Sequence, residues 1–117
     1  MSIKVLIADD HALLRQGIRG VLDFEDDIEV VGECEEGQDT LAKALVLQPD
    51  ILLLDLNMPG LSGMDVCRQL MNARSKVKII ALTIHDNDNY VVELLKNGAK
   101  GYLLKGVEPG VLLEAVH

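Results

Sequence analysis

Ile51-Leu52-Leu53-Leu54-Asp55, followed by Leu56-Asn57-Met58-Pro59-Gly60, is the stretch on which the reading of this chain turns. Four consecutive large apolar residues, bounded by Pro49-Asp50 before and Pro59-Gly60 after, read as a short strand covered on both faces, as central parallel strands are. An ionisable Asp closes it. In open α/β sheets ligands bind beyond the carboxyl ends of the strands, so an Asp held there before a Pro-Gly turn is fixed in place and still meets solvent. The plainer alternative is a turn residue bonding to its own backbone. What separates the two readings is the company Asp55 keeps.

Working outward, Ile3 to Ala8 is a first strand ending in Asp9-Asp10. Leu13, Leu14, Gly17, Ile18, Val21 and Leu22 then give a helical apolar stripe. Ile28 to Glu35 alternates, with Glu29, Glu33 and Glu35 on one face, which suits an edge strand that resists pairing with another chain. Leu41, Ala44, Leu45 and Gln48 mark a second helix ended by Pro49. Beyond the central strand, Ser62 and Asp65 resemble a capping box, and Met64, Cys67, Leu70 and Met71 are expected to face inward. Val77 to Leu82 is a fourth strand ending at Thr83. A fourth helix carries Val91, Leu94 and Leu95 and stops at Asn97-Gly98. Lys100 to Leu104 is a fifth strand ending at Lys105, and Pro109 opens a last helix with Leu112, Leu113 and Val116 on its apolar side.

Strands alternating with helices over short loops predict an α/β fold, a doubly wound five-stranded parallel sheet of the flavodoxin-like kind. The Glu-bearing second strand reads as an edge, which selects the order 2-1-3-4-5 and makes strands one and three neighbours at the switch point. The 117 residues, 49% of them hydrophobic, suffice for one domain spanning 1–117. The helix at the end is still running at His117, so a downstream segment is expected. No apolar run is long enough to span a bilayer and no leader precedes the first strand, so the expected location is the cytoplasm. A net charge of -8, from 11 Lys and Arg against 19 Asp and Glu, argues against direct nucleic-acid contact by this domain. Cys34 and Cys67 have no metal or redox spacing and read as buried reduced thiols.

In this register Asp9, Asp10, Asp55, Thr83 and Lys105 all fall on one rim. Packed carboxylates repel unless a cation joins them. An oxygen-only set with room for water and phosphate suits magnesium rather than zinc. Lys105 offers a point charge and Thr83 a hydroxyl for phosphate oxygens, so the most economical chemistry is attack by Asp55 on phosphorus to form an acyl phosphate.

Ala8-Asp9-Asp10-His11, Leu54-Asp55-Leu56-Asn57-Met58-Pro59-Gly60, Ala81-Leu82-Thr83 and Gly101-Tyr102-Leu103-Leu104-Lys105 together resemble the receiver domains of two-component response regulators, in particular those preceding a helix-turn-helix DNA-binding output domain. The resemblance implies a signalling domain, rather than an enzyme with an external substrate, that assists its own phosphorylation and dephosphorylation. It implies that Asp55 takes a phosphoryl group from a phosphohistidine of a sensor histidine kinase. Asp10, Asp55 and the backbone carbonyl of Asn57 would hold Mg2+, with Asp9 acting through water. Lys105 would pair with the phosphate, and Thr83 and Tyr102 would switch together, moving the surface of the fourth and fifth helices. A C-terminal DNA-binding domain controlling transcription, and a phosphorylation-dependent homodimer, belong to the same picture.

There are departures from the family pattern. Gly106 stands where many relatives have proline, so no cis bond is expected there; Ile84 is bulkier than usual beside Thr83; and the last helix lacks a Ser or Thr cap and should fray. His11, His85 and His117 read as surface histidines. Three rivals are a pseudo-receiver, a magnesium-dependent phosphohydrolase and a flavin carrier. The full set of site residues opposes the first. Asn57 at the place of a second carboxylate opposes the second, and the anion-repelling Asp9-Asp10 opposes the third.

Overall fold

The computed structural model describes residues 2–56, 58–83, 92–93, 95–104 and 109–117. Five parallel strands, β1 (Ile3–Ala8), β2 (Ile28–Cys34), β3 (Ile51–Asp55), β4 (Lys78–Thr83) and β5 (Gly101–Leu104), lie in the order β2-β1-β3-β4-β5. Three helices, α1 (Ala12–Asp23), α2 (Gly37–Leu47) and α3 (Gly63–Asn72), and a C-terminal helix at Pro109–Val116 cover its two faces. The expected order and the expected edge strand are both observed.

Period-two alternation divides the strand residues between two cores. Leu6, Ala8, Leu52, Leu54, Ile79 and Ala81 meet Ala44 of α2 and Val66, Cys67 and Leu70 of α3. Val5, Ile7, Ile51, Leu53, Ile80 and Leu82 meet Ile18 and Leu22 of α1 and Leu112 and Val116 of the C-terminal helix. β3 contributes to both cores, and all five of its residues are buried. That double burial explains the unbroken apolar run from Ile51 to Leu54, with the polar Asp55 placed at the strand's carboxyl end.

The details correct several helix assignments. Each residue turns a helix by about 100°, which puts Leu13 about 140° around from Ile18; Leu13 is accordingly 77% exposed and Gly17 faces solvent. In α3 the inward stripe is Gly63, Val66, Cys67 and Leu70, at i, i+3, i+4 and i+7, while Met71, a further 100° around from Leu70, is 52% exposed. In α2 the buried residues are Gly37, Thr40 and Ala44, and Leu45 is exposed. Ser62 does cap α3, its hydroxyl accepting from the Asp65 N–H at 3.2 Å. The box is not reciprocal, because the Asp65 carboxylate accepts from the Ser62 hydroxyl at 3.0 Å instead of returning to the backbone.

Along β2 the alternation is interrupted: Val5 pairs with Val30 but Leu6 with Gly32, so Val31 is an extra residue on the edge strand. Its glutamates are not a bare repulsive row either. Glu33 accepts from Arg15 Nε at 2.9 Å and also from Arg19, and Glu35 accepts from Arg15 Nη2 at 3.0 Å. Gln48, before Pro49, leaves the right-handed helical region as expected but enters the left-handed one, at φ 48°, and its N–H still donates to Ala44 O. Gly98 makes the expected left-handed stop at φ 105°. The expectations for Ile84, His85, Val91, Leu94 and Gly106 fall outside the described residues. Leu112 and Val116 are buried and anchor the C-terminal helix, so packing supplies what its cap-poor start does not.

Candidate functional site

β1 and β3 are hydrogen-bonded neighbours, with Ala8 opposite Leu54, so the residues next after that pair, Asp9 just past β1 and Asp55 closing β3, emerge side by side. β2 and β3 flank β1 on opposite sides, which makes this the switch point of the sheet. Carboxylate oxygens of Asp9, Asp10 and Asp55 lie within 4.8 Å of one another. Asp9 and Asp55 are buried and Asp10 is exposed, an arrangement closed on the protein side and open to solvent on the other.

Asp9 is held from several sides, through its backbone and its side chain. Its N–H donates to Cys34 O at 3.0 Å, its side-chain Oδ1 accepts from the His11 N–H at 2.8 Å, and its carbonyl accepts from Arg15 Nη1 at 2.6 Å. Arg15 is itself clamped by Glu33 and Glu35, so the edge strand, α1 and the acidic corner form one bonded unit. The sequence reading missed Arg15. Its signal was a basic residue one turn into the helix that follows Asp9-Asp10.

On the other side, the turn after Asp55 is packed too closely to accept side chains at its glycines. A Cβ on Gly63 would sit 2.7 Å from Leu56 Cα and 3.0 Å from Asp55 O, and one on Gly37, at the start of α2 against this segment, would sit 1.8 Å from Leu61 O. Gly60 takes φ 78°, a turn conformation that glycine adopts without strain.

Thr83 is buried at the end of β4, one residue past the Leu82 that pairs with Asp55. Tyr102 lies on β5 opposite Ala81 and is 40% exposed. Lys105 and Asn57 lie outside the described residues. Of the histidines, His11 begins α1 without a side-chain cap bond, and His117 pairs with Asp27 at 3.0 Å; His85 lies outside the described residues. Cys34 and Cys67 are free and buried, as expected. Burial raises the Cys34 thiol pKa and pushes that of Cys67 up to about 11, which keeps both protonated at neutral pH. No helix among the described residues is long and apolar enough to cross a membrane.

A buried carboxylate pair at the switch point of a 2-1-3-4-5 sheet has a counterpart among known proteins. The family profile described as the response regulator receiver domain matches residues 5–117. This chain is a receiver domain of that family. It is 40% identical over 115 residues to the transcriptional regulatory protein DegU of Brevibacillus brevis, covering 98% of this chain and 49% of that protein. It is 41% identical over 113 residues to the nitrate/nitrite response regulator NarL of Escherichia coli K12, covering 97% and 52%. The receiver spans about half the length of these relatives. Among solved structures, the signal receiver domain of the response regulator NarL from Mycobacterium tuberculosis superimposes with a TM-score of 0.95 at 31% identity, over 98% of this chain and 93% of that one.

Proposed function

We propose that this receiver carries its phosphoryl group on Asp55 and takes it from a phosphohistidine of a sensor histidine kinase. The observation that carries the reading is the convergence of Asp9, Asp10 and Asp55 oxygens within 4.8 Å at the switch point. Asp55 is the member at the end of the central strand, anchored by the packed turn behind it. An oxygen of its carboxylate attacks phosphorus, the P–N bond to the kinase imidazole breaks, and the electron pair leaves with the imidazole nitrogen. The product is an acyl phosphate on Asp55 and a histidine restored on the kinase.

Three clustered carboxylates, open to water on one side, fit a hard, oxygen-preferring divalent cation such as Mg2+. Asp10 and Asp55, with the Asn57 carbonyl, would hold that ion directly and Asp9 through water. When bound, it supplies charge neutralisation at the phosphoryl oxygens. Lys105 adds a fixed positive charge to the phosphate, and the Thr83 hydroxyl donates to one of its oxygens. The switch then follows from differential contacts: Thr83 meets the phosphate in one arrangement of its loop and not in the other, and Tyr102 follows it. The same groups serve the return reaction with water, so the domain assists its own dephosphorylation.

The similarity to DegU and NarL supports a downstream DNA-binding domain, regulation of transcription and a cytoplasmic setting for the whole protein, with a phosphorylation-dependent homodimer as one route of output. Intact mass after incubation with Mg2+ and acetyl phosphate tests the core of the proposal. One phosphoryl group should appear on the parent chain and none on Asp55→Asn. An equal adduct on both would place the phosphate elsewhere.

A further inference from the structure

The opposite end of the sheet holds a feature that phosphoryl transfer does not use. A cavity of about 930 Å³ opens at the amino ends of β3, β4 and β5, and Arg74, Lys76, Lys78 and Lys100 line it. Its apolar lining comes from residues such as Ile51, Val77 and Ile80, and Tyr102 borders it. Asp50 is the carboxylate side chain of the lining, and it already accepts from the Lys4 N–H at 2.8 Å.

Four cations around one hollow are unexpected in a chain of net charge -8. With 19 carboxylates available, a lysine or arginine placed only for solubility has acidic neighbours to pair with. Elsewhere Arg15, Arg19, Lys43 and Arg68 each hold an Asp or Glu, whereas Lys4 and Lys96 hold none among the described residues, but those two stand apart rather than around a hollow. Arg74, Lys76, Lys78 and Lys100 hold none among the described residues, and all four are exposed.

Backbone strain marks the same place. Arg74 sits at φ 57° just past α3, where the Ser75 N–H donates to Leu70 O and the Arg74 N–H to Met71 O, both at 3.0 Å. This is the Schellman stop, whose left-handed position is ordinarily glycine. The other non-glycine residue with positive φ among those described, Gln48, also lines the cavity. Gly98 makes the comparable stop at φ 105° and is not part of the lining. The chain thus accepts a left-handed conformation in side-chain-bearing residues where they border this hollow.

We infer that the amino-end cavity is a binding site for a multiply charged organic anion of the nucleoside polyphosphate class, its phosphates on the Arg74, Lys76, Lys78 and Lys100 rim and its apolar body against the floor. Charge complementarity selects an anion, and several cations on one rim select more than one negative charge. The apolar lining and the volume, in the range of small-molecule sites, select an organic body over inorganic phosphate.

The test is an NMR titration of the 15N-labelled chain with ATP in Mg2+-free buffer, beside tripolyphosphate and adenosine. ATP should shift amides at residues 74–78 and 100–102, tripolyphosphate should do so more weakly, and adenosine should not. Arg74→Gly, which suits the left-handed backbone and therefore keeps the fold, should weaken ATP about fivefold, and Lys100→Ser by a similar factor. No shifts at millimolar ATP, or equal affinity in the Arg74→Gly, Lys100→Ser double variant, would overturn the inference. So would tighter binding of a DNA duplex than of ATP to the same amides.

Discussion

The two ends of one sheet carry opposite charge and were built by different means. At the carboxyl end, Asp9 and Asp55 are buried and Asp10 stands beside them, and the turn after Asp55 is too tightly packed for extra atoms at Gly63. At the amino end, Arg74, Lys76, Lys78 and Lys100 are exposed around an open hollow, on the segments that lead into β4 and β5 and on the first residue of β4. Buried like charges are costly without groups that balance them, and a divalent cation at the Asp9, Asp10 and Asp55 corner would add to that balance. Exposed cations cost little, and the second end can wait for a ligand without strain beyond Arg74 and Gln48.

The largest expected effects break the carboxyl end. Asp55→Asn should abolish the acyl phosphate, and chelation of divalent metal should do the same in the parent chain, both read by intact mass. Neither change should alter ATP shifts at residues 74–78, because those residues lie at the opposite end of the sheet from Asp55. Next in size is Gly63→Ala. The added methyl meets Leu56 Cα at 2.7 Å, so the turn behind Asp55 must move, at a cost of about 2 kcal/mol. Urea denaturation should show a lower midpoint at unchanged slope; an unchanged midpoint would mean that this turn is more compliant than its packing suggests.

These cases also show what the sequence could reveal. A strand buried on both faces announces itself as an apolar run, and an Asp at its end needs only the register of the sheet to be placed, so Asp9, Asp10, Asp55 and Thr83 were all legible. Helix faces were less so. In α3, Met64, Cys67, Leu70 and Met71 made as good a pattern as Gly63, Val66, Cys67 and Leu70 until the sheet chose between them, because the glycine's missing side chain hides its inward position. Arg15 was missed for another reason: its position one turn after Asp9-Asp10 was a weak signal, and its partners Glu33 and Glu35 come from a different element, 18 and 20 residues along the chain. The cationic hollow escaped likewise, since net charge averages over both ends.

Arg15→Ala sharpens the comparison from the side of the acidic corner. It removes the donor to Asp9 O and leaves Glu33 with Arg19 alone, a loss of about 1–2 kcal/mol in stability. Mg2+ affinity should fall as well, whereas Arg15→Lys, which can keep one donor on the carbonyl, should recover part of it. Isothermal titration with Mg2+ distinguishes these; a stability loss with unaltered affinity would confine Arg15 to a structural role. Acid titration isolates the same cluster. The hydrogen bond from Arg19, assisted by Arg15 and opposed by partial burial, holds the Glu33 carboxyl below its usual 4.5. Its folded pKa is therefore lower than its unfolded one, so its contribution is fully present above about pH 4.5 and is lost as pH falls below that value. Glu33→Gln should flatten the stability profile in this acid window and leave the profile near neutrality with its original slope.

The smallest effect has the opposite sign. A left-handed conformation costs an L-residue about 1–2 kcal/mol, and glycine escapes that cost while giving back part of the gain through its looser unfolded chain. Arg74→Gly should thus stabilise the receiver by about 0.5 kcal/mol, raising its thermal midpoint slightly. If Arg74 were there only to end α3, glycine would be the better residue in every respect, and the variant would gain stability and lose nothing. A variant that gains stability and loses ATP affinity together shows what the guanidinium is for: the strain at φ 57° is tolerated because it aims a positive charge at the hollow. Lys100→Ser provides the contrast, since Lys100 has no left-handed backbone to relieve and its removal should weaken ATP without raising the midpoint.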